Sequence, residues 1–329
     1  MKDDGVLFQS LARGLENMQN ISSIVYSPRQ HYIPAERKAL CDLLPRGAFR
    51  GFHSVGQFTP PTPPDHPFRQ LIGAIFLTGY TGIRRLTVEA RPEDDEDVHF
   101  WHAAFSLDMF TFPDPNDLRA GQHLFLHLTK VDMSVDVHFG HEALGSAQLQ
   151  VLENFAKLLE TAKGLQHLSL KIIELHKGHF ATRLILFGFL GLRTIWPRLR
   201  SLSLEGMAGD KEDVLEMITQ HKETLRSLHL GEFVLSTGTW ADIVDEVVFN
   251  APMISTFTLH RVNDEFMTSE NMNFGTWEKS TLEGHLMVGE DGDRNFVCTS
   301  SAVCRSTVYQ RVQVDTNPAK RSVYAERSR

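Results

Sequence analysis

Cysteine is scarce in this chain. Three residues in 329, Cys41, Cys298 and Cys304, cannot supply a disulfide framework, and the odd count fits a reducing compartment, so a cytoplasmic or nuclear location is expected. A surplus of positive charge is also missing. Lys plus Arg number 33 against 41 Asp plus Glu, and the resulting net charge of −8 leaves no overall basic field for nucleic acid or an anionic membrane. Neither is expected as a partner. The longest apolar stretches, Leu71 to Leu77 and Leu184 to Leu192, fall far short of the roughly 20 residues a bilayer span needs, and MKDDGVLFQS lacks the cationic then apolar pattern of a secretory signal.

Catalytic signatures are lacking as well. There is no G-x-S-x-G nucleophile elbow, no G-x-x-x-x-G-K-[ST] and no G-x-G-x-x-G, and Gly145-Ser146 suits the start of a helix better than a nucleophile. Asp242, Asp245 and Glu246 have helical spacing that the outer face of an amphipathic helix explains. Four histidine pairs have ligand-like spacing: His99 with His102, His123 with His127, His138 with His141, and His176 with His179. Zinc needs three or four donors, and no cysteine pair lies near them. The best donor-rich stretch, Glu93 to Asp97 followed by His99 and His102, reads as a solvated charged loop. No catalytic residue, metal or cofactor is expected, and a metal protein or enzyme built on these loops is the alternative.

What the chain does have is globular composition, with 42 % hydrophobic residues, and a recurring phrase. Apolar residues spaced as x-x-apolar-x-apolar after a first apolar residue occur in IRRLTV from Ile83, LTKVDM from Leu128, LQHLSL from Leu165, LRSLSL from Leu199, LRSLHL from Leu225 and ISTFTL from Ile254, with a weaker copy, ISSIVY, from Ile21. The spacing is ragged at first and settles to 34, 26 and 29 residues. Each phrase ends in period-two alternation, the mark of a strand with one buried face.

Helical periodicity fills the intervals. Thr239 caps a run carrying Trp240, Ile243, Val244, Val247 and Val248 on one side, stopped by Pro252. Asp210 precedes a helix with Val214, Met217 and Ile218 inward, and His221 and Lys222 suit its last turn. Ser146 opens a helix with Leu149, Leu152, Phe155, Ala156 and Leu159 inward, ended by Gly164. Val6 to Met18 reads as the first helix, and Pro67 starts another that ends near Gly79, with Pro34 to Leu40 a short one between them. The segment Arg183 to Trp196, apolar nearly all round, reads as a helix covered on most sides.

A strand-helix unit cannot bury its own apolar edge, so neighbouring units stack, strands side by side and helices in an outer layer. The expected fold is α/β, an irregular solenoid with parallel strands on its concave face and helices on its convex face, over residues 1–284. A Pro-rich insertion at about 28–66 interrupts it, and 285–329 read as a flexible basic tail. Alternation sends the residues between the strand leucines to the concave face. The expected partner-binding residues are Arg85, Thr87 and Glu89; Lys130, Asp132 and Ser134; His167, Ser169 and Lys171; Ser201, Ser203 and Glu205; Ser227, His229 and Gly231; and Thr256, Thr258 and His260. A protein or peptide is the partner such a mixed polar face suits.

These LxxLxL strands with intervening helices, and the phrase LFLHLTKVDMSV at Leu124 to Val135, resemble the leucine-rich-repeat-like region of fungal F-box proteins over roughly residues 6–265. The resemblance implies a non-enzymatic, substrate-recruiting arc of a cullin-type ubiquitin ligase. No F-box is visible, so binding of the ligase adaptor is not expected from these residues, and a shortened F-box receptor is a further alternative. Ordinary leucine-rich repeats place Asn three residues after the last strand leucine; here those positions are Ile173, Met207, Phe233 and Val262, so the turns must satisfy their polar groups differently.

Overall fold

The computed structural model describes residues 6–18, 20–26, 67–89, 105, 107–137, 146–174, 188, 190–264, 282–288 and 294–298. The six sequence phrases and the weaker first copy all become strands: β1 (Ser23–Tyr26), β2 (Arg85–Val88), β3 (Lys130–Val137), β4 (His167–Glu174), β5 (Ser201–Glu205), β7 (Ser227–Gly231) and β9 (Thr256–Asp264). They pair in parallel in that order. Helix α1 (Val6–Asn17) precedes them in the chain, and α2 (Pro67–Thr78), α3 (Pro115–Leu126), α4 (Ser146–Thr161), α5 (Lys211–His221) and α6 (Trp240–Asn250) lie between them. The protein is thus a mixed α/β structure around a mostly parallel sheet.

The register explains why the phrase recurs. Ile24, Leu86, Val131, Leu168, Leu202, Leu228 and Phe257 are successive cross-strand partners, as are Tyr26, Val88, Met133, Leu170, Leu204, Leu230 and Leu259. From Leu86 and Val88 onward every member of both rows is buried. Removing one such side chain from water contributes about 2 kcal/mol, and a one-residue slip would turn a whole row outward, so the pattern fixes the pairing. The helices close the other side with Phe68, Phe125, Phe155, Ile218 and Trp240, all nearly inaccessible.

Backbone carbonyls tie each unit to the next at the leading ends of the strands. The Arg84 carbonyl accepts N–H groups from both Thr129 and Lys130, Gln166 does so from Arg200 and Ser201, and Arg226 from Ser255 and Thr256. At the trailing ends the chain turns through a left-handed residue at three equivalent positions, Gly206 (φ 75°), Glu232 (φ 45°) and Arg261 (φ 50°). Gly206 donates its N–H to Gly231 O at 3.0 Å and Glu232 donates to His260 O at 2.7 Å. These unit-to-unit bonds meet the demand that an Asn ladder would meet. Met207, Phe233 and Val262, which stand at the Asn positions, are fully buried instead. Beyond each corner runs a second short row that the sequence reading did not anticipate: β6 (Ala208–Asp210) pairs with β8 (Val234–Thr237), and β8 with the end of β9.

Two expectations are corrected. The segment ending at Trp196 is not helical from Leu190 onward; it forms turns, because Gly191 takes φ 67° where a Cβ would meet the Ala156 Cβ at 2.9 Å. Its apolar content is still buried, through Leu190, Leu192 and Trp196. The ordered region also does not stop at 284. Strands β10 (Leu282–Val288) and β11 (Arg294–Cys298) form an antiparallel hairpin added to β9, with His285 opposite Thr258. The Pro34 to Leu40 helix, the insertion at 28–66 and residues 299–329 of the expected tail lie outside the described residues.

Caps follow the sequence at one helix and depart from it at another. Thr239 accepts the Asp242 N–H at the start of α6. Asp210 occupies the N-cap of α5 without capping it by its side chain, which accepts hydroxyl hydrogen bonds from Ser236 and Thr237 of β8 instead.

Candidate functional site

The same registers that align the leucines align the residues between them. Arg85, Lys130, His167, Ser201, Ser227 and Thr256 form one cross-strand row; Thr87, Asp132, Ser169, Ser203, His229 and Thr258 form the next; Ser134, Lys171, Glu205, Gly231 and His260 form a third. Side chains of partners in register point the same way, so these rows make one face of the sheet. Glu89 follows directly, its N–H donating to Tyr26 O at 2.9 Å. All the residues named from alternation are therefore brought to one surface. His285, paired with Thr258, extends the middle row by one strand and was not anticipated, because its segment carries no leucine phrase.

The third row holds the tightest contacts. Lys171 Nζ reaches Glu205 Oε1 at 2.7 Å, with side chains 36 % and 23 % exposed, so the pair is fixed yet within reach of solvent. Beside it, Gly231 is closely packed: a Cβ there would stand only 3.0 Å from Glu205 Cγ and 3.1 Å from His229 Nε2. Burial pushes the His229 imidazole below its ordinary pKa, the Glu205 carboxylate opposes this, and His260 adds to it. The leading row is different. Lys130 has only a 3.9 Å contact with Asp132. His167 is held below its ordinary pKa first by burial and then by Lys130, Arg200 and Arg85. Its neutral form is what the surrounding cations favour.

Two other clusters lie among the helices. Arg69, with a side chain only 6 % exposed, pairs with Asp117 at 2.5 Å and stands over the Phe112 ring, beside a cavity of about 220 Å³ between α1, α2 and α3. Burial lowers the Arg69 pKa and Asp117 counters it. Trp196, His221 and Leu159 form the second: the Trp196 backbone N–H donates to His221 Nε2 at 3.1 Å, the indole N–H donates to Leu159 O at 3.0 Å, and His221 Nδ1 bonds Met217 O at 2.8 Å. The imidazole is thus neutral, with its proton on Nδ1, and burial lowers its pKa. Both clusters hold elements together.

Of the histidine pairs, only His123 and His127 fall among the described residues; their rings stand 5.5 Å apart edge to face, and His123 also packs on Phe76. His99, His102, His138, His141, His176, His179 and the run Glu93 to Asp97 lie outside them. Among the described residues no three His, Cys, Asp or Glu side chains group as metal donors, and no helix is long and apolar enough to cross a membrane. No protein-family model matches the chain, and no curated protein matches it by sequence.

Proposed function

We propose that the chain is a leucine-rich-repeat-like solenoid that acts as a non-enzymatic interaction module, holding a protein or peptide on the concave strand face. The observation that carries this reading is the alignment of seventeen alternating positions, from Arg85 to His260, into rows across six parallel strands. A rigid sheet presents such side chains at fixed spacing of about 4.8 Å from strand to strand, and Ser and Thr lose little conformational entropy when they bind. Half-buried polar groups in contiguous rows supply hydrogen bonds without a packed apolar patch. Substrate recruitment to a ubiquitin ligase, in the cytoplasm or nucleus, is the narrower form that the family resemblance implies.

A photo-crosslinking residue substituted for Ser203 on the face, or for Glu216 on the exposed side of α5, tests this in the native cell. Adducts from position 203 and few from 216 are the expected result. Adducts from 216 alone overturn it.

A further inference from the structure

The polar face is not uniform along its strands, and the charge at one end narrows the partner. In the segments leading into β2, β3, β4, β5 and β7, residues 79–85, 127–130, 162–167, 197–201 and 222–227, Glu223 is the only acid. Against this one acid the same segments hold eight Lys and Arg residues, among them Arg84, Arg85, Lys130, Arg198, Arg200 and Arg226, in a chain whose net charge is −8. Within the described residues Arg84, Arg85, Arg200 and Arg226 form no ion pair. The opposite ends of the strands contrast with this, for Glu205 pairs with Lys171 and Glu232 with Arg261.

Two of the guanidinium groups at the leading end, those of Arg84 and Arg226, are also held in place. Arg84 Nη1 donates to the carbonyls of Thr81 at 2.7 Å and His127 at 3.3 Å, and Arg226 Nη1 donates to Glu223 O at 3.2 Å. One nitrogen of each is anchored on backbone while Arg84 stays exposed and Arg226 half-exposed, so less side-chain entropy remains to be lost on binding. The depressed pKa of His167, caused in part by Lys130, Arg200 and Arg85, reports the same converging positive charge.

We infer that the leading ends of β2 to β7 dock an acidic, extended peptide segment of the partner. This rests on the reading of the strand face as a binding surface and adds the chemistry of what binds. Five strands at about 4.8 Å spacing span roughly 19 Å, which matches about six residues of extended chain. Cations one strand apart meet carboxylates along such a chain through charge-assisted hydrogen bonds, while Ser201 and Ser227 in the next row offer hydroxyls to its backbone. A peptide is favoured over single-stranded nucleic acid because this end carries Ser, Thr and Arg and no exposed Phe, Tyr or Trp on which bases stack, Tyr80 being half-buried with its hydroxyl tied to Ile21 O at 2.7 Å.

Fluorescence anisotropy on the full chain tests this with labelled hexaglutamate, hexaserine and hexalysine peptides and an oligo-dT of eight nucleotides, at about 20 mM and 150 mM salt. Hexaglutamate is expected to bind at low salt and weaken at high salt, with hexaserine and hexalysine inactive. The double variant Arg200→Glu/Arg226→Glu should lose at least tenfold in affinity, and Lys157→Glu on α4 should lose none. Arg200→Gln/Arg226→Gln replaces the reversal if circular dichroism shows that variant unfolded. No hexaglutamate binding, equal loss in Lys157→Glu, or tighter binding of oligo-dT through the same arginines overturns the inference. If that happens while crosslinks persist at position 203, the partner is not acidic but the face still binds. Loss of both removes the face as a site.

Discussion

The two ends of the strands do different work. At the trailing ends the chain makes a left-handed corner, neighbouring units bond backbone to backbone, and charged side chains are paired. At the leading ends the backbone is equally satisfied by shared carbonyls, yet the arginines have no carboxylate partners among the described residues. A substitution at one end should therefore damage folding, and at the other end binding.

The largest effect is expected at Gly206. A Cβ there would stand 2.1 Å from Ile172 O, and φ of 75° disfavours any L side chain, so Gly206→Ala should cost roughly 3 kcal/mol in a denaturant melt. A variant within 0.5 kcal/mol of the parent, on the scale of an ordinary surface change, would show that the corner yields.

His221→Ala comes next, at roughly 2 kcal/mol, since it leaves the Trp196 N–H without an acceptor and opens a space beside the indole. The same residue sets a pH dependence. Its folded pKa lies below its unfolded value near 6.5, so the stability it gives is full above that value and is lost as pH falls from there through the folded pKa. The melting temperature of the parent should fall over that range more steeply than that of the variant. Parallel curves would contradict the assignment.

Smaller still is the Lys171–Glu205 pair. Both groups are partly exposed, so Lys171→Ala should cost about 0.5–1 kcal/mol, less in high salt. Smallest is the leading end, where Arg200→Glu/Arg226→Glu should shift stability by no more than about 0.5 kcal/mol per site, whatever it does to binding.

Much of the strand pattern and its polar face was legible in the sequence, and the reason is periodicity. Alternation in LRSLSL and LRSLHL specifies which residues are inward and which strand partners which, so Leu202, Leu228, Ser203 and His229 fall where the pattern sends them. The trailing corners were not legible, because a positive φ at Glu232 and Arg261 leaves no mark in residue type, and Gly206 alone carried a hint. The β10–β11 hairpin has no leucine phrase, although Gly289-Glu-Asp-Gly-Asp293 between its strands is a turn signal of the right length. The turn at Leu190 to Trp196 defied its apolar composition because burial can be had without helix, once Gly191 lets the chain fold back against Ala156. Charge segregation between the two strand ends was invisible until the registers stacked Arg84, Arg200 and Arg226 on one side.

Hydrogen exchange of the full chain with and without the hexaglutamate peptide tests the division most directly. Added protection should appear in residues 79–85, 127–130, 162–167, 197–201 and 222–227, with the corners at Gly206, Glu232 and Arg261 unchanged. Protection confined to those corners, or spread over the helices, would contradict it.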